Sequence, residues 1–440
     1  MTTWADLLAT ACEDVADGTP GAVLGVWHGG RETVVPHGVL HRATGAPVLE
    51  HSVFQIGSVS KPWTAAVIAQ LADEGSLTLD TTVAELLPGI RLGDDDRADR
   101  VTVRHLLTHT SGIDGDVFTD TGRGDDAVAR YVDELADAVT SHEPGAAYSY
   151  CNSGFVVLGR IVEVLLGGTW DHAIQRRIAA PLGLTDVCTL PDEAILRSAA
   201  VGHEKGVPVT QWALPRSVGP AGTITTSAHD LLGFARHWLG EAVPAWSVAM
   251  GEPLVPVPDG SELSSIGWGW RLGSWGDGVR VLGHNGLTLG QSATLRVVPE
   301  LDLAVCLLAN SEHADAVHHA VVPTVVQELT GIQTPPLPAP IAASDALPGL
   351  ERHVGTYSRR AARYDVELVE GSLRLTATPT GELASHDGGP EEFVLHPRDH
   401  SGDAFVRRGS DTEPWSTLTF GSLPDGTPHL FAQGRIAVRA

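Results

Sequence analysis

Gly57-Ser58-Val59-Ser60-Lys61-Pro62 places one of only two lysines in this 440-residue chain three residues after a serine. Lysine and arginine together number 29, so nearly all positive charge is otherwise carried by arginine. A guanidinium stays protonated near neutrality, whereas a desolvated lysine can lose its proton and act as a base. Ser-x-x-Lys at a helix start is therefore an arrangement for a serine nucleophile with a lysine neighbour. Pro62 falls in the first turn, where its missing N–H costs little. Ala65, Ile68, Ala69, Leu71 and Ala72 form an apolar stripe, and Gly75 stands where a helix-ending glycine belongs. The pattern predicts a helix over 58–74. Ser58 and Lys61 then share one face, about 5–6 Å apart at Cβ, and the partly positive helix start favours an oxyanion nearby. Alone, the string also fits an ordinary surface lysine.

Upstream, Leu7, Leu8, Ala11 and Val15 repeat at helical spacing, and residues 21–27 read as a buried strand with a hairpin partner around 32–35. Downstream, helices are expected over 102–109 and 153–166. Strands are expected over 268–272, 280–282, 292–298 and 303–308. Strands that open and close a helix-rich middle predict an α+β fold, a sheet with flanking helices and a helical subdomain. Thr334-Pro335-Pro336-Leu337-Pro338-Ala339-Pro340 is a stiff linker. Beyond it, short alternating segments at 365–369, 373–376, 393–396, 404–407, 417–420 and 429–432 predict a small all-β barrel. The expected division is 1–333, a linker over 334–349, and a barrel over 350–440.

Two further stretches carry chemistry. Tyr148-Ser149-Tyr150-Cys151-Asn152-Ser153-Gly154 precedes the 153–166 helix. A tyrosine held beside a lysine ammonium can gain acidity and serve as a base, and an asparagine can both donate to and accept from a substrate amide. A core tyrosine and a helix cap would look the same. Gly283-His284-Asn285-Gly286 lies between the strands expected at 280–282 and 292–298. The glycine permits close backbone approach, and the Leu287 N–H could serve an oxyanion. A hairpin turn with an incidental histidine is the plainer alternative.

Taken together and in order, Ser58-x-x-Lys61, Tyr150-x-Asn152 and His284-x-Gly286 resemble the penicillin-recognising serine hydrolases: class C β-lactamases, D-alanyl-D-alanine carboxypeptidases, family VIII-type esterases and D-aminopeptidases. Leu106-Leu107-Thr108-His109-Thr110-Ser111-Gly112 is similar to a segment common in that group. The resemblance covers roughly residues 10–330 and implies a β-lactamase/transpeptidase-like fold. The tail, with Val354-Gly355-Thr356-Tyr357 near its start, resembles the lipocalin-like domains attached to some members. By this resemblance Ser58 is the acylated nucleophile, Lys61 and Tyr150 share the proton work, and Asn152 holds the substrate amide. The N–H groups of Ser58 and Leu287 form the oxyanion hole, beside Gly286. His284 takes the place of a third-motif lysine, and a side chain with a pKa of about 6.5 is mostly neutral at pH 7. Weak or no β-lactam hydrolysis follows. An esterase, amidase or D-aminopeptidase reading leads; an acyltransferase or peptide cyclase and a non-catalytic binding protein are the alternatives.

Composition narrows the partners. The formal net charge of −25 argues against nucleic acid and anionic membranes. No apolar run is long enough to span a bilayer, and the first residues show no secretory signal. Cys12, Cys151, Cys188 and Cys306 are scattered, which reads as buried thiols in a cytoplasmic protein. No cofactor and no metal are expected, and a homodimer is possible. His105 and His109 lack the Glu of a zinc motif and read as structural; His313, His318 and His319 read as a solvated stretch. Asp94-Asp95-Asp96 reads as a charged loop, and 119–126 as an exposed loop at the site rim. Trp268 and Trp270 alternate onto one face of the expected 268–272 strand, either lining a substrate pocket or filling core.

Overall fold

The computed structural model describes residues 3–440 apart from 16, 94–95, 118, 241–242, 343–346, 348, 382–388 and 411–413. The charged-loop expectation at Asp94 and Asp95 lies outside the described residues.

A nine-stranded antiparallel sheet organises the first part of the chain. In it β1 (Gly21–His28) is hairpin-paired to β2 (Arg31–His41), with β3 (Arg271–Trp275), β4 (Val279–Leu287), the central β5 (Ser292–Val298) and β6 (Leu303–Ala309) on the other side of β1 in the order β1-β6-β5-β4-β3. Every residue of β5 and β6 is buried. Alternation sends Leu303, Val305, Leu307 and Ala309 to one face and Ala304, Cys306 and Leu308 to the other. Helices therefore cover both faces. On one lie α1 (Trp4–Asp14), begun by a Thr3–Asp6 capping box, and α4 (Ala314–Thr330). On the other lie α2 (Ser60–Asp73), α3 (Asn152–Leu166) and the remaining helical segments.

Helix α2 is buried on nearly every side from Ser60 to Leu71. That is the signature of a central helix rather than an amphipathic surface one, and it leaves Lys61 fully buried. Two expectations are corrected here. Residues 313–319 open α4, and His318 is buried with Nδ1 2.8 Å from Thr294 Oγ1, so this is not a solvated stretch. Pro323 within the helix hid it, because proline normally ends a helical pattern. Residues 267–270 form a bend between Ser265–Ile266 and β3, with Gly269 at φ +75°, so Trp268 and Trp270 do not share a strand face.

The tail is a second nine-stranded antiparallel sheet, β7 (Gly355–Arg359), β8 (Ala362–Val369), β9 (Ser372–Pro379), β10 (Glu391–Val394), β11 (His396–Pro397), β12 (Ala404–Arg407), β13 (Ser416–Ser422), β14 (Pro428–Ala432) and β15 (Arg435–Arg439). Its two edges, β10 and β11, are consecutive in the chain, so it is a nearly closed barrel, in line with the lipocalin-like expectation. Tyr364, Val366, Leu375, Phe405, Phe420 and Leu430 fill its interior. Its outer face matters for the site. Phe431 and Ile436 point away from the barrel core and pack with Tyr148, Val257 and Ile266. The β14–β15 hairpin is turned by Gln433 and Gly434, with φ of +52° and +77°. Positive φ at both central residues marks the tight turn that matches strand twist. That tip reaches the first part of the chain, where Tyr150 N–H donates to Gly434 O at 2.9 Å.

Candidate active site

Ser58 sits in a short 3-10 turn, Gly57–Val59, which runs directly into α2. The turn is pressed against β4. Gly57 has φ +52°, and a Cβ there would lie 2.6 Å from the Leu287 nitrogen. A Cβ on Gly286 would lie 1.9 Å from the Ile56 carbonyl oxygen and 3.0 Å from the Ser58 nitrogen. Both positions need glycine, and both bring the Leu287 backbone beside Ser58. His284, Asn285 and Gly286 thus lie within β4 rather than in a turn between strands; the turn falls at 288–291. Strand pairing fixes the direction of these side chains more firmly than a loop would.

Lys61 Nζ lies 3.0 Å from Ser58 Oγ, 2.8 Å from Asn152 Oδ1 and 2.7 Å from the Ala221 carbonyl oxygen. A neutral amine has two N–H donors and one lone pair. Two of these partners are oxygens that can only accept, so they take the two N–H groups and turn the lone pair toward the Ser58 hydroxyl. Burial drives Lys61 well below the ordinary lysine pKa, and the positive charge of Arg435 adds to this. The site therefore favours an amine able to accept a proton.

Tyr150 lies against Lys61, with Nζ 4.9 Å from the ring centroid, and Ser58 stands beside its hydroxyl. Its acidity moves opposite to the sequence expectation. Burial raises the phenol pKa above its ordinary value and outweighs the Ser58 hydrogen bond and the nearby guanidiniums. The neutral phenol is a proton donor here. His109 backs it, ring to ring at 4.3 Å, and accepts the Cys151 N–H through Nδ1 at 3.0 Å. The helix cap of α3 is Cys151, whose Sγ accepts from Gly154 N–H, which leaves the Asn152 side chain for the site.

His284 Nδ1 lies 2.6 Å from the Asn285 carbonyl oxygen. Donation there makes Nε2 an acceptor, and Nε2 is buried without a partner. Burial, with the charge of Lys61, pushes the imidazole pKa down to about 3, so it is neutral across the physiological range. Ser58, Tyr150, Asn152, His284, Gly286 and Leu287 all border one cleft of about 850 Å³. Trp268 and Trp270 do not border it. Trp270 is buried between Phe234 and Trp238 at 6.2 and 5.1 Å, in the aromatic core.

Several cleft residues carried no sequence signal. Arg271 is held by Asp259 and Ser261 at 2.9 Å each. Pro335, Pro336, Leu337 and Pro338 of the linker form part of the wall. From the barrel, Arg435 places its guanidinium 5.1 Å from the Tyr150 ring centroid and donates to Asp116 Oδ1 at 2.7 Å, and Arg359 donates to Asp116 Oδ2 at 2.7 Å. A hairpin reading of Gln433-Gly434 could have placed a strand after it; nothing in the sequence tied that strand to Tyr150.

The Beta-lactamase family profile matches residues 8–325. Penicillin-binding protein 4 of Amycolatopsis lactamdurans is 41% identical over 357 residues, 77% of this chain and 93% of that protein. Esterase EstB of Burkholderia gladioli is 34% identical over 163 residues, 34% of this chain and 41% of its own length. The crystal structure of SurE superposes with a TM-score of 0.79 at 28% identity, covering 99% of this chain and 98% of SurE. SurE with D-Leu gives 0.76 at 26% identity, covering 99% and 97%. Among the described residues no group of three or more His, Cys, Asp or Glu could hold a metal ion, and no single helix is long and apolar enough to cross a membrane. The chain belongs to the Beta-lactamase family and is a serine hydrolase of the β-lactamase and penicillin-binding-protein type.

Proposed function

We propose that the chain forms an acyl-enzyme at Ser58 on a small ester, amide or peptide, with D-aminoacyl amides and peptides as the favoured class. The carrying observation is the Lys61 amine 3.0 Å from Ser58 Oγ, fully buried and aimed by two fixed acceptors. In this reading Lys61 takes the Ser58 proton as Oγ bonds to the substrate carbonyl carbon. The oxyanion faces the N–H groups of Ser58 and Leu287. The carbonyl then re-forms, the bond to the leaving group breaks, and Tyr150 donates the proton that the leaving group needs while Lys61 returns one to Tyr150. Water repeats the sequence in reverse and frees the acid.

The neutral His284 supports the choice of substrate. It offers no fixed cation to a β-lactam carboxylate, and weak or no β-lactamase activity follows. The likeness to SurE with D-Leu supports a D-configured residue. Turnover of D- and L-aminoacyl amides, short-chain esters and a chromogenic cephalosporin tests the reading. The expected result is hydrolysis of D-aminoacyl amides, little of the cephalosporin, and none by Ser58→Ala. Equal turnover by wild type and Ser58→Ala refutes it.

A second reading passes the acyl group to an amine. It is supported by the cleft of about 850 Å³, which leaves room beside Ser58 for a second reactant, and by His284 Nε2, an unpartnered acceptor for an amine N–H. Products from a peptidyl thioester separate the two: free acid alone excludes transfer.

A further inference from the structure

The C-terminal barrel supplies two guanidiniums to a buried carboxylate, and that carboxylate touches the residue that aims Lys61. Asp116 is buried. Its Oδ1 accepts from Arg435 Nη2 at 2.7 Å and from Asn152 Nδ2 at 3.4 Å. Its Oδ2 accepts from Arg359 Nη1 at 2.7 Å, with Arg435 Nε 2.6 Å away. The tip of the same hairpin binds Tyr150 N–H through Gly434 O, and Ile436 N–H donates to Ser149 Oγ at 3.2 Å.

The side-chain amide of Asn152 has one acceptor end and one donor end. The acceptor end faces Lys61 and the donor end faces Asp116. Rotated by half a turn, Asn152 would offer N–H to Lys61, draw the amine lone pair to itself and leave Ser58 without a base. It would also set its carbonyl oxygen against the Asp116 carboxylate. We propose that Asp116 is a positioning residue, held by Arg435 and Arg359 of the barrel, that locks Asn152 in the orientation which leaves the Lys61 lone pair to Ser58. The barrel is then part of the catalytic apparatus rather than an appended module. This deepens the acyl-enzyme reading and rests on it for the role of Lys61.

The charged and titratable groups facing Lys61 are few. Arg435 comes from the barrel, Asp116 from the loop at 114–117, Tyr150 and Cys151 from the approach to α3, and His109 and His284 from the other walls. Arg435 disfavours the ammonium and Asp116 favours it. Their removal acts on Lys61 in opposite directions through charge alone, so the lock itself is read by activity in a variant that keeps the charge.

The chain has only two lysines, so the full-length protein carrying 13Cε-lysine shows Lys61 and Lys205 alone, and Lys205→Arg assigns them. The wild-type Lys61 resonance is expected to titrate well below the ordinary lysine range. Arg435→Gln is expected to raise its midpoint, and Asp116→Asn to lower it, each by roughly 0.5–1 pH unit. Arg435→Lys keeps the charge and leaves the midpoint in place, while the shorter, non-planar head loosens Asp116 and lowers kcat about tenfold at similar KM. Should Arg435→Gln not fold, the other two variants decide. Midpoints unmoved in Asp116→Asn, shifts of one sign in both charge-removing variants, or an Arg435→Lys that keeps the wild-type kcat overturn the proposal. The titration needs no turnover, so a wild type that never acylates Ser58 refutes the acyl-enzyme reading without bearing on the lock.

Discussion

Two segments meet at Tyr150 from opposite ends of the chain. Gly57–Lys61 brings the proposed nucleophile and its proposed base together within one turn. Gln433–Arg435 brings a turn and a guanidinium at the tip of a hairpin, nearly the whole chain away. The first is a local arrangement, so its chemistry is written in residue spacing. The second acts only through the fold, because its Arg435 is one among many arginines and its contact with Asp116 depends on how the barrel docks. The difference separates what performs the reaction from what holds it in register.

Substitutions at the two ends should differ accordingly. Ser58→Ala removes the hydroxyl that stands 3.0 Å from the lysine amine, and its loss of kcat is expected to be on the order of 10⁴-fold or more, read by turnover of the best substrate. Lys61→Arg keeps a positive charge but cannot give up a proton. A loss of roughly 10²–10⁴-fold is expected, with residual activity no longer rising with pH. In the wild type the acid limb rises as the depressed Lys61 deprotonates, below the pH at which a free lysine would.

At the other end, Gly434→Val forces a β-branched residue into φ +77° beside the Tyr150 Cβ, 3.7 Å from where its own Cβ would stand. About tenfold lower kcat and a stability loss of about 1–2 kcal/mol are expected, measured by turnover and urea unfolding. An effect as large as that of Lys61→Arg would erase the distinction between performing and positioning.

The last expected effect is on stability rather than turnover and concerns His284. Its pKa falls from 6.5 to about 3 on folding, so between those values the unfolded chain binds a proton that the folded chain does not. Stability should therefore fall as pH drops from about 6.5 toward 3 and should not fall further on this account below it. His284→Gln should flatten part of that slope in urea titrations across pH 3–7.

Legibility followed the same division. The helix carrying Ser58 and Lys61, the core strands and most barrel strands could be read because apolar periodicity and turn residues are local signals. The α+β fold and the barrel emerged from them. Helix α4 is illegible because Pro323 breaks its pattern, and the five-residue strand β15, behind the Gln433-Gly434 turn, is too short to mark itself by alternation. Alternation alone places Trp268 and Trp270 on a strand, while Gly269 bends the chain between them. A cation beside Tyr150 predicts a more acidic phenol; in the fold, burial dominates and Lys61 itself is pushed toward neutrality. Asp116 lies in Gly115-Asp116-Val117, where no spacing links it to Asn152 or to an arginine more than 300 residues on, since |i−j| to Arg435 is 319.

The central claim is that Ser58 is acylated with Lys61 as its base. The most direct test incubates the whole protein with a fluorophosphonate over a range of pH, then locates the added mass after digestion. The account predicts one adduct on the Ser58 peptide, formed faster as pH rises through the Lys61 titration, and none in Ser58→Ala. An adduct that persists in Ser58→Ala, or a wild type that stays unmodified at every pH, would contradict it.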